Sequence, residues 1–329
     1  MSDKQTTRIL SARQNLPWIE KYRPRTIDEL VVDEVVKKRI RYYIDNKEIP
    51  DLLIAGIPGI GKTTTILCLA SSILGPFIKT AVLELNASDE RGIKTVEEEI
   101  TNFCKRKITF SHANQHKIVM LDEVDNMTKK AQQKVNILMG MYHKTTRFAF
   151  TCNDSTKIIE GIQSRCTMLR YKRLGNEAVA KRLQQICKAE GVKYEMDGLL
   201  TVAEMACGDL RQAINNLQLI HTGFDEIKKD YVFQLCDKPN PGMVYDIFRC
   251  AEEKDLPGAL MALDKLFEVG YSVSDISFSM LSVLKQQTHL PEESVIRMMK
   301  IVSKSVLAIG RGLDTPLQLS GCISELVLL

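Results

Sequence analysis

The sequence lacks several features that would assign a chain to a class at once. Its nine cysteines include no Cys-x-x-Cys pair and no Cys/His cluster with zinc spacing, so we expect no metal bound by cysteine. Several of them lie inside apolar runs, as is typical of buried free thiols in a reducing compartment. We find no apolar stretch that approaches ~18 residues, and the N-terminus lacks the layout of a signal peptide. The sequence therefore predicts neither a membrane span nor secretion.

An excess of charge of one sign is also missing. The 329 residues include 45 basic and 41 acidic side chains, which leaves a net charge of +4. This balance neither requires nor excludes nucleic acid as a ligand, so any such argument must depend on where the charges lie. The length predicts two or three domains, because single cores seldom grow beyond ~250 residues.

The first half of the chain alternates short apolar runs with segments of helical periodicity. Continuous apolar strands separated by helices are typical of a parallel sheet that is covered on both faces. Five strands are predicted, at 51–55, 81–85, 117–122, 147–152 and 167–171. The helices between them are predicted near 62–74, 94–106, 128–141 and 156–163.

The second half is predicted to be helical, with no strand after about residue 175. The run DKPNPG at 237–242 is typical of a linker, so we place domains at 1–173, 174–237 and 238–329. Before the linker, helices are predicted at 176–190, 196–206 and 209–221. After it, helices are predicted at 243–254, 256–269, 273–287, 292–308 and 315–328.

The segment between the first strand and the first helix carries the clearest motif. Residues 56–63, GIPGIGKT, match G-x-x-x-x-G-K-[ST], which in this context binds a nucleoside triphosphate. Glycines permit the positive φ angles that turn backbone N–H groups toward an anion, and the helix adds the positive end of its dipole. Lys62 is expected to neutralise the β- and γ-phosphates and Thr63 to hold Mg²⁺. The predicted binding residues here are Gly56, Ile57, Pro58, Gly59, Ile60, Gly61, Lys62, Thr63 and Thr64.

Polar residues that follow other strands extend this site. Asp122, at the end of the third strand, suits a Mg²⁺ ligand, and Glu123 suits the general base that activates water. Acidic residues after a strand are otherwise often a solvated turn. Asn153, after the fourth strand, is expected to orient water or contact the γ-phosphate, although such residues are commonly caps or turns. Arg211 begins a helix of the second domain and is expected to reach the phosphates, the alternative being a surface arginine.

Seven motifs occur along the chain in an order that matches one known family. They are PWIEKYRP at 17–24, the phosphate loop, LELNASDERGI at 83–93, DEVD at 122–125, KTTRFAF at 144–150, QSRC at 163–166 and GDLRQAINNLQ at 208–218. Together they resemble a small subunit of replication factor C, a sliding-clamp loader, over about residues 15–270. The resemblance implies an α/β AAA+ P-loop domain with a five-stranded parallel sheet, a helical lid domain and a C-terminal helical collar domain.

The resemblance also implies an activity and partners. It implies a nuclear ATPase that assembles with other replication factor C subunits into a heteropentamer, using ATP and Mg²⁺. The assembly opens a trimeric sliding clamp and places it on primer-template DNA, with no membrane involved. Two other interpretations remain open: a subunit that holds ATP structurally and supplies mainly an arginine and collar contacts, and an archaeal small subunit that assembles with copies of itself.

The resemblance assigns further site residues. Ile19 and Arg23 would line the adenine pocket with Val31 or Val32. Arg165 of the SRC motif would be an arginine finger that acts in trans on the ATP of a neighbouring subunit, and such fingers are worth ~10³-fold or more in rate.

The resemblance also places DNA contacts, which would touch phosphates and carry no sequence information. Arg91 and Lys157 match two such positions. A third position, usually arginine, is Glu97 here, and Lys94 is expected to compensate.

One helix departs from the family pattern A-Q-x-A-L-R-R-x-M-E. Residues 131–140 read AQQKVNILMG, so both arginines and the final glutamate are absent. We expect coupling between DNA and ATP to be weakened or rerouted through Lys134. Gly140 is expected to cost up to ~1 kcal/mol if it lies in the helix interior.

Overall fold

The computed structural model of the chain describes residues 16–87, 93–110, 112, 115–235, 239–286 and 291–329. The chain divides after Lys228 into two compact units. The first contains a five-stranded parallel sheet with helices on both faces, and the described residues of the second form helices.

Among the described residues of the first unit, two helices precede the main sheet and three follow it. The strands of this unit are β1 (Leu52–Ala55), β2 (Val82–Asn86), β3 (Lys117–Asp122), β4 (Thr146–Cys152), β5 (Thr167–Arg170), β6 (Lys193–Tyr194) and β7 (Glu226–Ile227). Its helices are α1 (Trp18–Lys21), α2 (Glu34–Asp45), α3 (Lys62–Leu74), α4 (Ile78–Ala81), α5 (Ile93–Lys105), α6 (Lys129–Tyr142), α7 (Glu160–Gln163), α8 (Asn176–Glu190), α9 (Met196–Ala206) and α10 (Leu210–Gly223).

The main sheet has the strand order β2-β3-β4-β1-β5, and its strands are parallel. Alternate residues of β1 point to opposite faces, so Ile54 packs with α2 and α3 while Leu53 packs with α5 and α6. Both faces are therefore covered, as the continuous apolar strands predict. Because ligands of open α/β sheets bind outside the carboxyl ends of the strands, a ligand is expected at the ends of β1, β3 and β4.

The five predicted strands of this sheet are confirmed to within one residue at each end. The prediction of one helix over 156–163 is wrong. Asp154 accepts hydrogen bonds from the Thr156 backbone N–H (2.9 Å) and hydroxyl (2.7 Å), which starts a 3₁₀ turn, Ser155–Lys157. The chain is then extended at Ile158, which is buried, before α7 begins.

The expectation that strands stop after residue 175 is also wrong, because the two-residue strands β6 and β7 pair in parallel. Sequence reasoning missed helix α2 as well. Its cap is the side chain of Asp33, which accepts a hydrogen bond from the Val35 N–H (3.1 Å), and it buries Val36 and Ile40.

The described residues of the second unit form six helices, and all but the first of them contribute to an apolar core. They are α11 (Lys229–Leu235), α12 (Pro241–Glu252), α13 (Leu256–Val269), α14 (Val273–Gln286), α15 (Glu292–Gly310) and α16 (Pro316–Val327). Phe248, Leu263 and Ile323 are among the buried residues of this core. Pro241, Pro257 and Pro316 stand in the first turns of their helices, where a missing N–H costs nothing.

One helical stretch is long and apolar enough to cross a membrane, which the sequence analysis did not predict. Lys62–Ala81 is 20 residues long with a mean hydropathy of 1.3. The stretch follows the phosphate loop, is interrupted by a 3₁₀ turn at Gly75–Phe77, and buries Leu69 and Ile73 in the core. A core helix accounts for it, since such helices can be as long and as apolar.

Candidate nucleotide-binding site

The phosphate loop joins β1 to α3, and two of its glycines have backbone angles that favour glycine. Gly61 caps α3 with φ 89°, and Gly59 has φ 70°. A Cβ added to Gly59 would lie 1.7 Å from Oδ1 of Asp209, so a side chain there would collide with the start of α10. At Gly61 a Cβ would meet nothing within 4 Å, and only the backbone angle favours glycine. The loop therefore leaves open space at Gly61 and close contact at Gly59.

Lys62 is almost fully buried, and its three donors bond two carbonyls of the loop and the side chain of Asn153. Its Nζ donates to the carbonyl oxygens of Gly56 (2.8 Å) and Ile57 (2.9 Å) and to Oδ1 of Asn153 (2.8 Å). Burial lowers the pKa of Lys62, and the nearby carboxylates, Asp122 first, oppose that shift. A phosphate oxygen would take the place of one of these neutral acceptors and supply the missing counter-charge.

Thr63 and Asp122 meet at the end of β3. The Thr63 hydroxyl donates to Oδ2 of Asp122 (2.8 Å), and the Thr151 hydroxyl donates to Oδ1 of the same carboxylate. Mg²⁺ prefers oxygen ligands and in nucleotide sites takes only one or two from the protein. A hydroxyl and a carboxylate in contact therefore fit Mg²⁺.

Glu123 follows directly in a left-handed conformation, with φ 55°. Its backbone N–H donates to Asp122 Oδ1 and to Thr151 Oγ1, both at 3.2 Å. Its carboxylate accepts a hydrogen bond from the side-chain amide of Asn126 (3.2 Å). The unusual backbone at Glu123 thus turns the two neighbouring carboxylates to different positions in the site.

These groups surround a cavity of about 190 Å³. The predicted residues that line it are Ile19, Arg23, Val31, Pro58, Gly59, Ile60, Gly61, Lys62, Thr63, Thr64, Asp122, Glu123, Asn153 and Arg211. Gly56 and Ile57 contribute through their carbonyl groups. Val32 does not line the cavity, because its side chain packs against the apolar core beside α2.

Sequence reasoning missed several lining residues, of which Thr151 is the most informative. It is fully buried in β4, next to β3, and bonds both Asp122 and Glu123. A hydroxyl directly after the apolar run Phe148–Phe150 was the only signal. The other missed residues are Glu20, Tyr22, Pro24, Leu30, Cys152, Leu210 and Ile214.

The segment that carries Ile19 and Arg23 is attached to the helices after the sheet. The backbone N–H of Trp18 donates to Oε1 of Gln218 (2.8 Å), and the Trp18 ring stacks on His221 with 5.3 Å between centroids. The Tyr22 hydroxyl donates to Oε1 of Glu190 (2.6 Å). Burial, with this bond to Glu190, strongly raises the pKa of Tyr22. One wall of the cavity is therefore held by α8 and α10.

Arg165 lies away from this cavity, at the amino end of β5. Its side chain is exposed, and a Cβ added to Gly140 of α6 would lie 3.1 Å from its Nη1. β1 and β5 are paired with Leu52 opposite Thr167 and Ala55 opposite Arg170. Since strands rise ~3.3 Å per residue, Thr167, two residues after Arg165, lies about 13 Å from the level of Gly56, where the phosphate loop begins.

The proposed DNA contacts are only partly described. Lys157 is exposed in the turn after β4, and its carbonyl accepts a hydrogen bond from the buried Gln132 amide (3.2 Å). Arg91 lies outside the described residues. Lys94 lies in α5, and its side chain is not among those described. Glu97 forms an ion pair with Lys134, so two of the departures from the family pattern pair with each other across α5 and α6.

Comparisons with known proteins match three parts of the chain to family models. Residues 52–174 match the model of the ATPase family associated with various cellular activities (AAA), residues 181–221 an AAA+ ATPase lid domain of the RCF1/5-like type, and residues 239–325 the replication factor C C-terminal domain. The fold resembles the Thermotoga maritima RuvB Holliday junction branch migration motor, with TM-score 0.55 and 16% identity over 69% of this chain and 79% of that one. The fold and the site thus define an AAA ATPase with a phosphate-binding loop.

Relatives of similar length narrow the class. Replication factor C subunit 4 of Schizosaccharomyces pombe is 44% identical over 96% of this chain and 92% of that protein. Replication factor C subunit 4 of Saccharomyces cerevisiae is 41% identical over 94% and 95%, and the replication factor C small subunit of Methanosphaera stadtmanae 37% identical over 95% and 98%. The chain belongs to the replication factor C family of clamp-loader ATPase subunits. The family and the ATPase class inferred from the motifs are confirmed.

Proposed function

We propose that this chain binds ATP with Mg²⁺ and hydrolyses ATP as one subunit of a heteropentamer of replication factor C subunits. The assembly would open a trimeric sliding clamp and place it on primer-template DNA. A nuclear location is proposed because the yeast relatives are eukaryotic replication proteins. The observation that carries the proposal is the convergence of Lys62, Asp122 and Asn153 on one cavity at the carboxyl ends of neighbouring strands.

The residues of this cavity have separate tasks. Lys62 exchanges a neutral acceptor for a phosphate oxygen. Thr63 and Asp122 hold Mg²⁺, which when bound neutralises phosphate charge. Glu123 accepts a proton from the attacking water, and Asn153 orients that water or contacts the γ-phosphate. Arg211, from α10, reaches the phosphates from the opposite wall.

The proposed DNA contacts are separate from the residues that line this cavity. Lys157, together with Arg91 and Lys94, is proposed to contact the phosphate backbone of primer-template DNA. Gln132 supports a connection between this surface and the ATP site. Its amide donates to the carbonyls of Met127 (3.3 Å) and Lys157 (3.2 Å), so one buried side chain joins the turn after Glu123 to the turn that carries Lys157.

Two substitutions test the ATP site in the complex formed with the partner subunits. Lys62→Ala is expected to abolish the thermal stabilisation by Mg-ATP, which for an intact site is ~2.7 kcal/mol at a hundredfold excess over Kd. Glu123→Gln is expected to keep that stabilisation and to lower hydrolysis at this site about 100-fold, because an amide cannot take the proton.

Lys79→Ala, which removes an exposed lysine beyond α3, is the matched control and is expected to change neither property. An unchanged ATP-induced shift in Lys62→Ala would refute the assignment of the phosphate loop. Normal turnover by Glu123→Gln at this site alone would remove Glu123 as the base and favour a structural role for bound ATP.

A further inference from the structure

The third acidic residue of the DEVD motif has no part in the mechanism above. Asp125 lies in the 3₁₀ turn Val124–Asn126 that follows Glu123. Its side chain points across to the end of β4. There, Oδ2 accepts hydrogen bonds from two consecutive backbone N–H groups, those of Asn153 and Asp154, both at 3.2 Å. One carboxylate oxygen therefore bridges the ends of two neighbouring strands.

The bridge holds the backbone of a residue that contacts the phosphate-binding lysine. The regular pairing of β4 ends at Cys152, whose carbonyl accepts a hydrogen bond from the Gly56 N–H (3.2 Å). Beyond that point Asp125 fixes the turn, and the Asn153 side chain meets Lys62 Nζ at 2.8 Å. Asp125 thus acts on Lys62 through Asn153.

The other oxygen of this carboxylate is hard to explain as packing alone. Oδ1 of Asp125 is buried and has no hydrogen-bond partner among the residues that the structure describes. A buried, unpaired carboxylate oxygen costs stability, and an amide would cap the same two N–H groups without a charge.

We propose that Asp125 is a positioning residue, which fixes the turn at 153–154 so that Asn153 keeps its place when Lys62 exchanges a carbonyl for phosphate. The inference rests on the proposed ATPase function but makes a separate claim about the free protein. Asp125 touches neither nucleotide nor water in this scheme. Its effect on hydrolysis is therefore indirect, and geometry rather than charge should carry most of it.

Amide hydrogen exchange in the nucleotide-free protein tests the positional claim directly. Asp125→Ala is expected to raise exchange of the Asn153 and Asp154 amides about tenfold or more, as these lose their acceptor. Asp125→Asn keeps an oxygen that can accept both bonds, so its exchange should stay within about threefold of wild type. If the alanine variant does not fold, Asp125→Ser replaces it, since a hydroxyl is too short to bridge both amides. Unchanged protection in the alanine or serine variant would overturn the proposal whatever the ATPase assays give.

Kinetics in the assembled complex separate positioning from simple stabilisation. Asp125→Ala is expected to lower kcat about tenfold, because small misplacements of catalytic groups are costly, while KM for ATP changes less than about threefold. Asp125→Asn should recover most of this loss. The double variant Asp125→Ala with Asn153→Ala should be no slower than Asn153→Ala alone, within about twofold. Three results would each contradict action through Asn153. They are a double variant whose loss in kcat is the product of the two single losses, an Asp125→Asn variant as slow as Asp125→Ala, and an Asp125→Ala variant with unchanged kcat.

Discussion

The polar residues at the two ends of the central sheet have different surroundings. At the carboxyl end, Lys62 and Asp122 are each bonded to other residues of one cavity. At the amino end, Arg165 is exposed beside Gly140, and Lys117 is buried and donates to the last carbonyls of α5. The carboxyl end is built to bind a ligand of its own. At the amino end, Arg165 faces outward and Lys117 supports the fold.

Strand pairing keeps these roles apart. Because β1 and β5 are parallel and in register, Arg165 and the phosphate loop stand at opposite ends of the same pair of strands. An arginine side chain cannot span the roughly 13 Å between those levels along a strand and then turn into the cavity. If Arg165 contacts ATP, the nucleotide must belong to another subunit.

The largest expected effect comes from removing that arginine. Arg165→Ala should lower hydrolysis at the neighbouring site about 10³-fold and leave nucleotide affinity at its own site unchanged. The measurement uses complexes in which only the adjacent site, or only this chain's site, keeps its phosphate-loop lysine.

Lys144→Ala is the matched control, since it removes an exposed cation from the same end of the sheet. Loss of turnover confined to the chain's own site would contradict the trans role of Arg165 and assign it a local structural role.

Much of this contrast could be predicted from the sequence, because its signals are local. The phosphate loop, Asp122 and Asn153 each follow a strand, and parallel strands bring their carboxyl ends to one edge. Contacts between distant segments could not be predicted in this way. The bond from Trp18 to Gln218 spans 200 residues, and the bonds from Asp125 to Asn153 and Asp154 require two turns to meet. The single helix expected at 156–163 does not form, because the Asp154 side chain accepts a hydrogen bond from the Thr156 backbone N–H.

The second cation of the amino end gives a smaller effect, on stability alone. Lys117 is 3% exposed, and its Nζ donates to the carbonyls of Phe103 (3.2 Å), Cys104 and Arg106 (2.8 Å). Lys117→Met should destabilise the first unit by about 3 kcal/mol, since these carbonyls lose a charged donor. Urea unfolding measures it, with the exposed Lys107→Met as control.

The pH dependence of this substitution has a definite sign. Burial lowers the pKa of Lys117 in the folded chain, so the folded state binds this proton more weakly than the unfolded state. The wild type should therefore gain stability relative to Lys117→Met as the pH rises toward about 10. A lost ATPase activity with unchanged stability would instead make Lys117 functional and remove the distinction between the two cations.

The smallest expected effect concerns the glycine beneath Arg165. Gly140 lies inside α6, where alanine would be favoured by up to ~1 kcal/mol. The added Cβ would lie 3.1 Å from Arg165 Nη1, which is the exposed end of a flexible side chain and can move by a few tenths of an ångström. Gly140→Ala should therefore raise stability by about 0.5 kcal/mol and leave hydrolysis at the neighbouring site within about twofold. Gly140→Glu, which sets a carboxylate beside the guanidinium, should retain stability but lower that hydrolysis. If the alanine variant were destabilised, the Arg165 side chain would be fixed against α6 and could not move away from the added Cβ.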